Sequence, residues 1–258
     1  RARWMLINTV VLFLRDTLPI FMLISVLLAL PRVSTLAVVW RVLLLVLLAV
    51  FTYPQLGLVS QLSEGAGFEY LKSILFFIAW LGMCLVVLLP SRMSNRFSLG
   101  LTLLIIGIGL PNSLHFLVYF VSELSGNSDS TLLLLGTIIG LGISISIAIL
   151  LNILLTHFVS KRATYFFATT FVAAQTANIA LLLEQTDTFP SPRQLWDSST
   201  IISDNSEYGH LLNSLVGYEA TPSTSYLLVF FFALIMPNLI AFFSSKKRFS
   251  DEIQEVAQ

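Results

Sequence analysis

Residues 6–30 read LINTVVLFLRDTLPIFMLISVLLAL. A helix needs about 20 apolar residues to cross the hydrocarbon core of a bilayer, and this run is long enough. Near its middle sits the charged pair Arg15-Asp16, with Pro19 three residues after the aspartate. An ionisable side chain at that depth costs roughly 2.5–3.5 kcal/mol on insertion scales. It persists only where it faces a protein interior or a polar path, so the pair reads as a functional site within a membrane span.

The rest of the chain extends that reading. The protein has 258 residues, 56% hydrophobic and 11% charged, with no net charge. Soluble domains carry about 25% charged residues. The mean hydropathy is +0.87. Seven segments qualify or nearly qualify as spans: Leu6–Leu30, Thr35–Tyr53, Tyr70–Leu89, Phe97–Val121, Leu132–Val159, Ala163–Leu183 and Tyr226–Phe243. The expected fold is therefore all-α, a polytopic bundle of seven transmembrane helices embedded in a lipid bilayer. Arg41 interrupts the second span early and is placed to snorkel to the nearer interface. The single cysteine, Cys84, has no intrachain partner for a disulfide. Zero net charge gives no case for nucleic-acid binding. The first run is too long and too charged to read as a cleavable signal.

Loop charge sets an orientation. One set of span ends holds Arg32, Arg92, Arg96, Lys161, Arg162, Lys246, Lys247 and Arg248. The opposite set holds Glu64, Glu69, Glu123, Asp129 and the acidic connection from Glu184 to Glu219, with Lys72 and Arg193 as its bases. Basic loops stay in the cytoplasm, so the N-terminus is expected outside and the C-terminus inside, in a plasma or inner membrane. Arg1 and Arg3 oppose this but are outvoted. The acidic face would attract cations, or it is an ordinary solvated surface.

Residues 1–183 form the expected six-helix core, 184–225 a connection, and 226–258 the last helix and tail. Within the core, 1–89 and 97–183 are candidates for an inverted pair of three-helix repeats. Thr17-Leu18-Pro19 in the first span and Gly109-Leu110-Pro111 in the fourth fall at matching depths. Interrupted helices at matching positions mark midplane sites in transporters, while proline kinks alone are common in membrane helices. In the fifth span Gly136, Gly140, Ser144, Ala148 and Asn152 recur every four residues, a stripe that reads as a packing seam. The sixth carries Gln175 and Asn178 on one face, read as glue inside the bundle or as part of a polar path. In the fourth, Asn112, His115 and Tyr119 share a face beside Pro111. Arg15 is expected to be buried and paired across to another helix, with Glu69 the charged candidate, because neighbours along a helix diverge by about 100°. No nucleotide-binding loop, dinucleotide fingerprint or zinc spacing occurs, and the chain is not read as an enzyme.

The 184–225 connection is long for a compact protein, and such segments are usually functional or disordered. It reads Trp196-Asp197-Ser198-Ser199, then Ser206-Glu207-Tyr208-Gly209-His210-Leu211-Leu212, then Gly217-Tyr218, then Pro222-Ser223. Gly209 and Gly217 punctuate an apolar stretch suited to a short helix on the outer surface. This string resembles the region before the last helix in the high-affinity iron permease family, the oxidase-dependent iron transporters of yeast and the ferrous-iron permeases of bacteria. The resemblance implies seven helices with the N-terminus out and the C-terminus in. It also implies an Arg-Glu-x-x-Glu motif in helices one and four, where acids at i and i+3 share a face and build a cage of hard oxygen ligands for iron.

Against that motif, helix one here keeps Arg15, shortens the first acid to Asp16 and replaces the second with Pro19. Helix four reads Ile108-Gly109-Leu110-Pro111-Asn112, with Asn112 where the second acid falls. Glu69 stands where family members also place an acid. The resemblance is to a degenerate member of the family, whose activity would be transport of a metal cation, iron or another divalent metal, as substrate. Asp16, Glu69, Asn112 and His115 are the candidate metal ligands, a set that His and amide donors soften toward divalent ions. Arg15, Pro19, Gly209, Gly217, Tyr218 and Pro222 are its motif and structural positions. The alternative is a non-transporting scaffold or accessory subunit of a larger membrane complex. Other membrane subunits, or an outer-face metal-donating or oxidase protein, are the partners this implies.

Overall fold

The computed structural model describes residues 2–31, 33–88, 95–125, 130–189, 193–204 and 206–256. Arg1, Arg32, Arg92 and Asp129, which enter the charge reading above, lie outside them, as do the side chains of Arg3, Lys246, Lys247 and Arg248. In chain order the helices are α1 (Ala2–Ala29), α2 (Thr35–Thr52), α3 (Leu56–Gln61), α4 (Gly67–Leu88), α5 (Asn95–Ser125), α6 (Ser130–His157), α7 (Lys161–Gln185), α8 (Glu207–Val216) and α9 (Thr224–Val256). Two 3-10 turns, Tyr53–Gln55 and Leu62–Gly65, flank α3. Among the described residues the only β-pairing is an isolated bridge between Gln194 and Ser223. The fold is all-α, and seven of its helical segments are long and apolar enough to span a membrane.

Serines start several of these helices. Ser34, Ser160 and Ser206 each turn a hydroxyl back to accept from the backbone N–H three residues on, heading α2, α7 and α8. An N-cap of this kind satisfies a donor that the first helical turn leaves without a partner. Burial then sorts the spans. In α1 and α7, 65% and 61% of the span is buried, against 17% for the spans of α2 and α9. The first two run through the interior. The last two sit at the periphery, where Trp40, Leu47, Phe51, Phe242 and Phe243 are exposed. Exposed side chains of that kind are solvated by lipid once the bundle is in a bilayer.

Packing across the chain is reciprocal. α1 lies along α6 and α2 lies along α5, while α1 also crosses α5 and α4 packs on α5 and α7. The first helix of residues 1–89 thus rests on the second of residues 97–183, and the first of 97–183 on the second of 1–89. α9 closes the bundle against α7 and α4.

The stripe on α6 is the α1 seam. A Cβ at Gly136 would lie 2.6 Å from Thr9 Cγ2, and one at Gly140 3.0 Å from Phe13 Cβ. Polar contacts continue down the same face. Thr17 and Ser144 hydroxyls lie 2.9 Å apart, Ser25 donates to the Ala148 carbonyl at 2.6 Å, and Asn152 donates to the Ser25 carbonyl at 3.0 Å. A second close seam joins α4 to α5, where Gly82 and Gly100 face each other's carbonyls. Without a hydrophobic drive between helices in lipid, such approach is what lets dispersion and interhelical hydrogen bonds act.

Neither proline breaks its helix: α1 runs through Pro19 and α5 through Pro111. Each removes one N–H, leaving the carbonyls of Arg15 and Gly107 without their usual helical donors. Arg41 does not simply snorkel. It donates to the Ala37 carbonyl at 2.6 Å, to Ser98 Oγ at 2.6 Å and to Thr102 Oγ1 at 2.9 Å. Those bonds tie α2 to the start of α5.

Candidate functional site

Where α1 crosses α5, a cavity of about 530 Å³ opens between α1, α4, α5 and α7, and α8 lies over it. Arg15, Asp16 and Pro19 line it from α1, and Pro111, Asn112 and His115 from α5. Lys72 and Phe76 come from α4, and Gln175, Asn178 and Gln185 from α7. His210, Asn213 and Ser214 close it from α8, with Asp204 and Glu219 from the segments on either side. A volume of this order accommodates a small solute.

Its centre is a three-residue contact. The Asp16 carboxylate is 7% exposed and lies 2.8 Å from His115 Nδ1 through Oδ2. Its other oxygen accepts from Arg15 Nε at 3.2 Å. The short contact to a carboxylate makes Nδ1 the protonated ring nitrogen and leaves the lone pair of a neutral His115 on Nε2. Arg15 Nη2 approaches the same Nδ1 at 3.4 Å. The Arg15 and His115 side chains are about 40% exposed, 42% and 38% respectively. The acid is therefore buried and its two partners are open to the cavity.

This overturns the expected pairing of Arg15. The guanidinium bonds its own neighbour Asp16, not Glu69, and is not buried. The side chain is long enough to bend its head back across the 100° offset between adjacent residues. Glu69 does not line the cavity; one turn further along α4, Lys72 does, with its ammonium 4.7 Å from the Phe68 ring centre. Of the four candidate ligands the structure thus brings together Asp16, Asn112 and His115. Asn112 uses its amide N–H on the Ile108 carbonyl, 2.7 Å away. Among the described residues no three His, Cys, Asp or Glu side chains gather as a metal-binding group.

The cover is built from the connection singled out above. α8 is capped by Ser206 at its start and by Gly217 at its end, whose φ of +73° lets its N–H turn back to the carbonyls of α8's last turn. Glycine adopts that left-handed backbone without strain. At Gly209 a Cβ would collide with the Ser203 carbonyl. Tyr218 donates its hydroxyl to the Ile202 carbonyl at 3.0 Å, and the Pro222 carbonyl accepts from Leu195 N at 3.1 Å. Ser223 Oγ donates to Glu184 at 2.7 Å and accepts from Tyr226 N at the head of α9. Rather than resting on the surface, α8 is bound into the bundle, and Gln175 of α7 donates to the Ser214 carbonyl at 3.3 Å.

Sequence reading missed Lys72 as a cavity residue, and it missed Asp204, His210, Asn213 and Glu219. Lys72 stands near the end of its span, where a base reads as loop charge, yet it lies one turn inside α4. The other four lie in the connection, where His210 and Glu219 read as part of its string and its acidity and not as cavity residues. Glu219 is acidic in an acidic place: burial, and then Asp204 and Glu184, push its carboxyl up to about 7. Comparisons with family models, with curated proteins and with solved structures return no match.

Proposed function

We propose that this multi-pass membrane protein is a metal-cation transporter of iron-permease type with an altered site, its N-terminus outside and its C-terminus in the cytoplasm. The observation that carries the reading is the 2.8 Å contact between Asp16 and His115 inside a polar membrane cavity. It joins α1 and α5, the two helices on which the permease-like motif falls. A metal-binding histidine typically gives its second ring N–H to a carboxylate, which fixes the ring and raises its basicity. Asp16 is placed to do that for His115, presenting Nε2 to the cavity. One imidazole nitrogen with amide oxygens suits a divalent ion such as ferrous iron better than a hard trivalent one.

The reciprocal α1–α6 and α2–α5 pairings and the matched prolines support the same reading, in which residues 1–89 and 97–183 are inverted halves. So does the acidic mouth of the cavity, which in this orientation faces outward.

The test is metal uptake by proteoliposomes containing the wild type, Asp16→Asn or His115→Gln. Expected are uptake of ferrous over ferric iron by the wild type and a loss of at least about tenfold in both variants, since each removes half of the orienting pair. Absence of uptake of any metal by well-folded wild type would refute the transport reading. A second reading, a non-transporting subunit of a membrane complex, draws support from Arg15. Its bond to Asp16 already balances the acid that the site retains. Copurification of a stable partner chain together with absent uptake would favour it.

A further inference from the structure

Three helices bring to the cavity hydrogen-bond donors that no described acceptor meets. On α1, Arg15 spends its Nε–H on Asp16. Its Nη2 faces His115 Nδ1, which carries the proton given to Asp16 and so offers no lone pair. Nη1 has no acceptor among the described residues. On α4, the Lys72 ammonium lies over the Phe68 ring, and no ion pair joins it to Glu69 one turn back or to any other described acid. On α7, the half-buried Asn178 makes no side-chain hydrogen bond among the described residues. All three residues line the same cavity.

We propose that Arg15, Lys72 and Asn178 bind a small oxyanion, a carboxylate or a phosphate, inside this cavity. The free edge of a guanidinium carries two parallel N–H groups, and these match two oxygens of one such anion. Asp16 occupies the Nε side, so the Nη1–Nη2 edge is the one that remains. Lys72 adds a compact second charge. Asn178 adds an amide donor from the third helix. A cavity of about 530 Å³ holds a molecule of this size.

The charge balance calls for an anion. Asp16 is the one described carboxylate paired with either base, so with His115 neutral two cations stand against one acid. Asp204 and Glu219 also line the cavity, but the cover engages them. Asp204 Oδ1 accepts from Ala220 N at 2.7 Å, and Glu219 Oε2 accepts from Asn213 at 3.3 Å. A cation left without a counter-ion inside a membrane bundle is costly and is retained for a ligand or a path. Such a site goes beyond the metal reading and does not depend on it. With a cation at His115, the anion would add oxygens where the described residues form no metal-binding group of three.

Titration calorimetry on the full chain in an uncharged detergent tests this, with malonate and inorganic phosphate as probes at constant ionic strength and a chelator present. Expected for the wild type is saturable binding of at least one probe. Binding of malonate alone identifies a carboxylate site, and binding of phosphate alone a phosphate site. Arg15→Gln and Lys72→Gln should each weaken it at least about tenfold, because a hydrogen bond to a charged group is worth more than one decade of affinity. Arg15→Lys keeps the charge but loses the paired donors, and should weaken binding as well. Arg193→Gln removes a base from outside the cavity and should bind as the wild type does. If Arg15→Gln does not fold, Lys72→Gln decides the matter. Failure of the wild type to bind either probe overturns the proposal. So does undiminished binding by Lys72→Gln, or an equal loss in Arg193→Gln. No metal is present in the titration, so its failure and a failure of metal uptake are separate results.

Discussion

Replacing Gly140 with leucine should unseat α1 from α6. A Cβ alone at this position would lie 3.0 Å from Phe13 Cβ and 3.3 Å from the Val10 carbonyl. Leucine adds three further carbons, and the facing residue cannot yield, since Phe13 is 1% exposed and packs edge-on against Phe116, Tyr119 and Phe120. Forcing extra methylenes into a filled site typically costs about 1–3 kcal/mol. The same displacement would stretch the Thr17–Ser144, Ser25–Ala148 and Asn152–Ser25 bonds further down the seam. For a chain of this size 1 kcal/mol moves the midpoint of unfolding by about 2–4 °C, so a fall of several degrees is expected in detergent or bicelles. Gly142, two residues on, is the control: nothing lies within 4 Å of a Cβ placed there, and Gly142→Leu should leave the midpoint where it is. Equal midpoints for the Gly140 and Gly142 variants would refute the seam.

Gly217→Ala should destabilise the cover by about 1–2 kcal/mol, because a left-handed backbone is strained for any residue with a Cβ. That Cβ would also lie 2.8 Å from the Phe230 ring, so a chemical-denaturation midpoint unchanged by the variant would count against the assigned turn. Stability should also depend on pH through Glu219. Its folded pKa of about 7 stands above the ordinary 4.5, so the folded state holds a proton that the unfolded state has released. The contribution is complete below the unfolded value and is lost as pH rises to about 7, and Glu219→Gln should flatten that part of the profile. An identical slope in wild type and variant would assign the pH dependence to another group.

The seven spans were legible because lipid imposes a simple rule: every backbone group must be satisfied within a helix, over a length fixed by the bilayer. The α6 stripe was legible for a related reason, since small residues at every fourth position leave few uses other than close packing. The partner of that stripe was not, because nothing in Thr9, Val10 or Phe13 marks them as its counterpart. Asp16, Asn112 and His115 could be picked out as unusual residues at matching depths beside prolines. Their meeting depends on the angle at which α1 crosses α5, which periodicity does not contain. Lys72, Asp204 and Glu219 were hidden by composition: charges near a span end look like solvated loop charges. Lys72 faces the cavity from α4, and the fold of the connection back onto α7 and α9 brings the two acids to it.

On the proposed transport reading, Arg15 would determine what the cavity tolerates at its centre. A site with paired acids on two helices would surround a hard cation with anionic oxygens and leave net negative charge to spare. Here one acid stands beside one arginine, so the pair is close to neutral before any solute arrives. A trivalent ion would have to exchange its water for neutral donors next to a guanidinium, with Lys72 lining the same cavity. Coulomb repulsion grows with the ion's charge, and in a poorly solvated interior it is weakly screened. A divalent ion feels less of it and gains more from an imidazole nitrogen. Arg15 also holds Asp16 in position, so the aspartate's second oxygen is directed at His115 and not at a passing ion. Asp16 on this reading is a positioning residue, the bond to Nδ1 its contribution, and the nitrogen on the far side of the ring is the donor that would meet the metal.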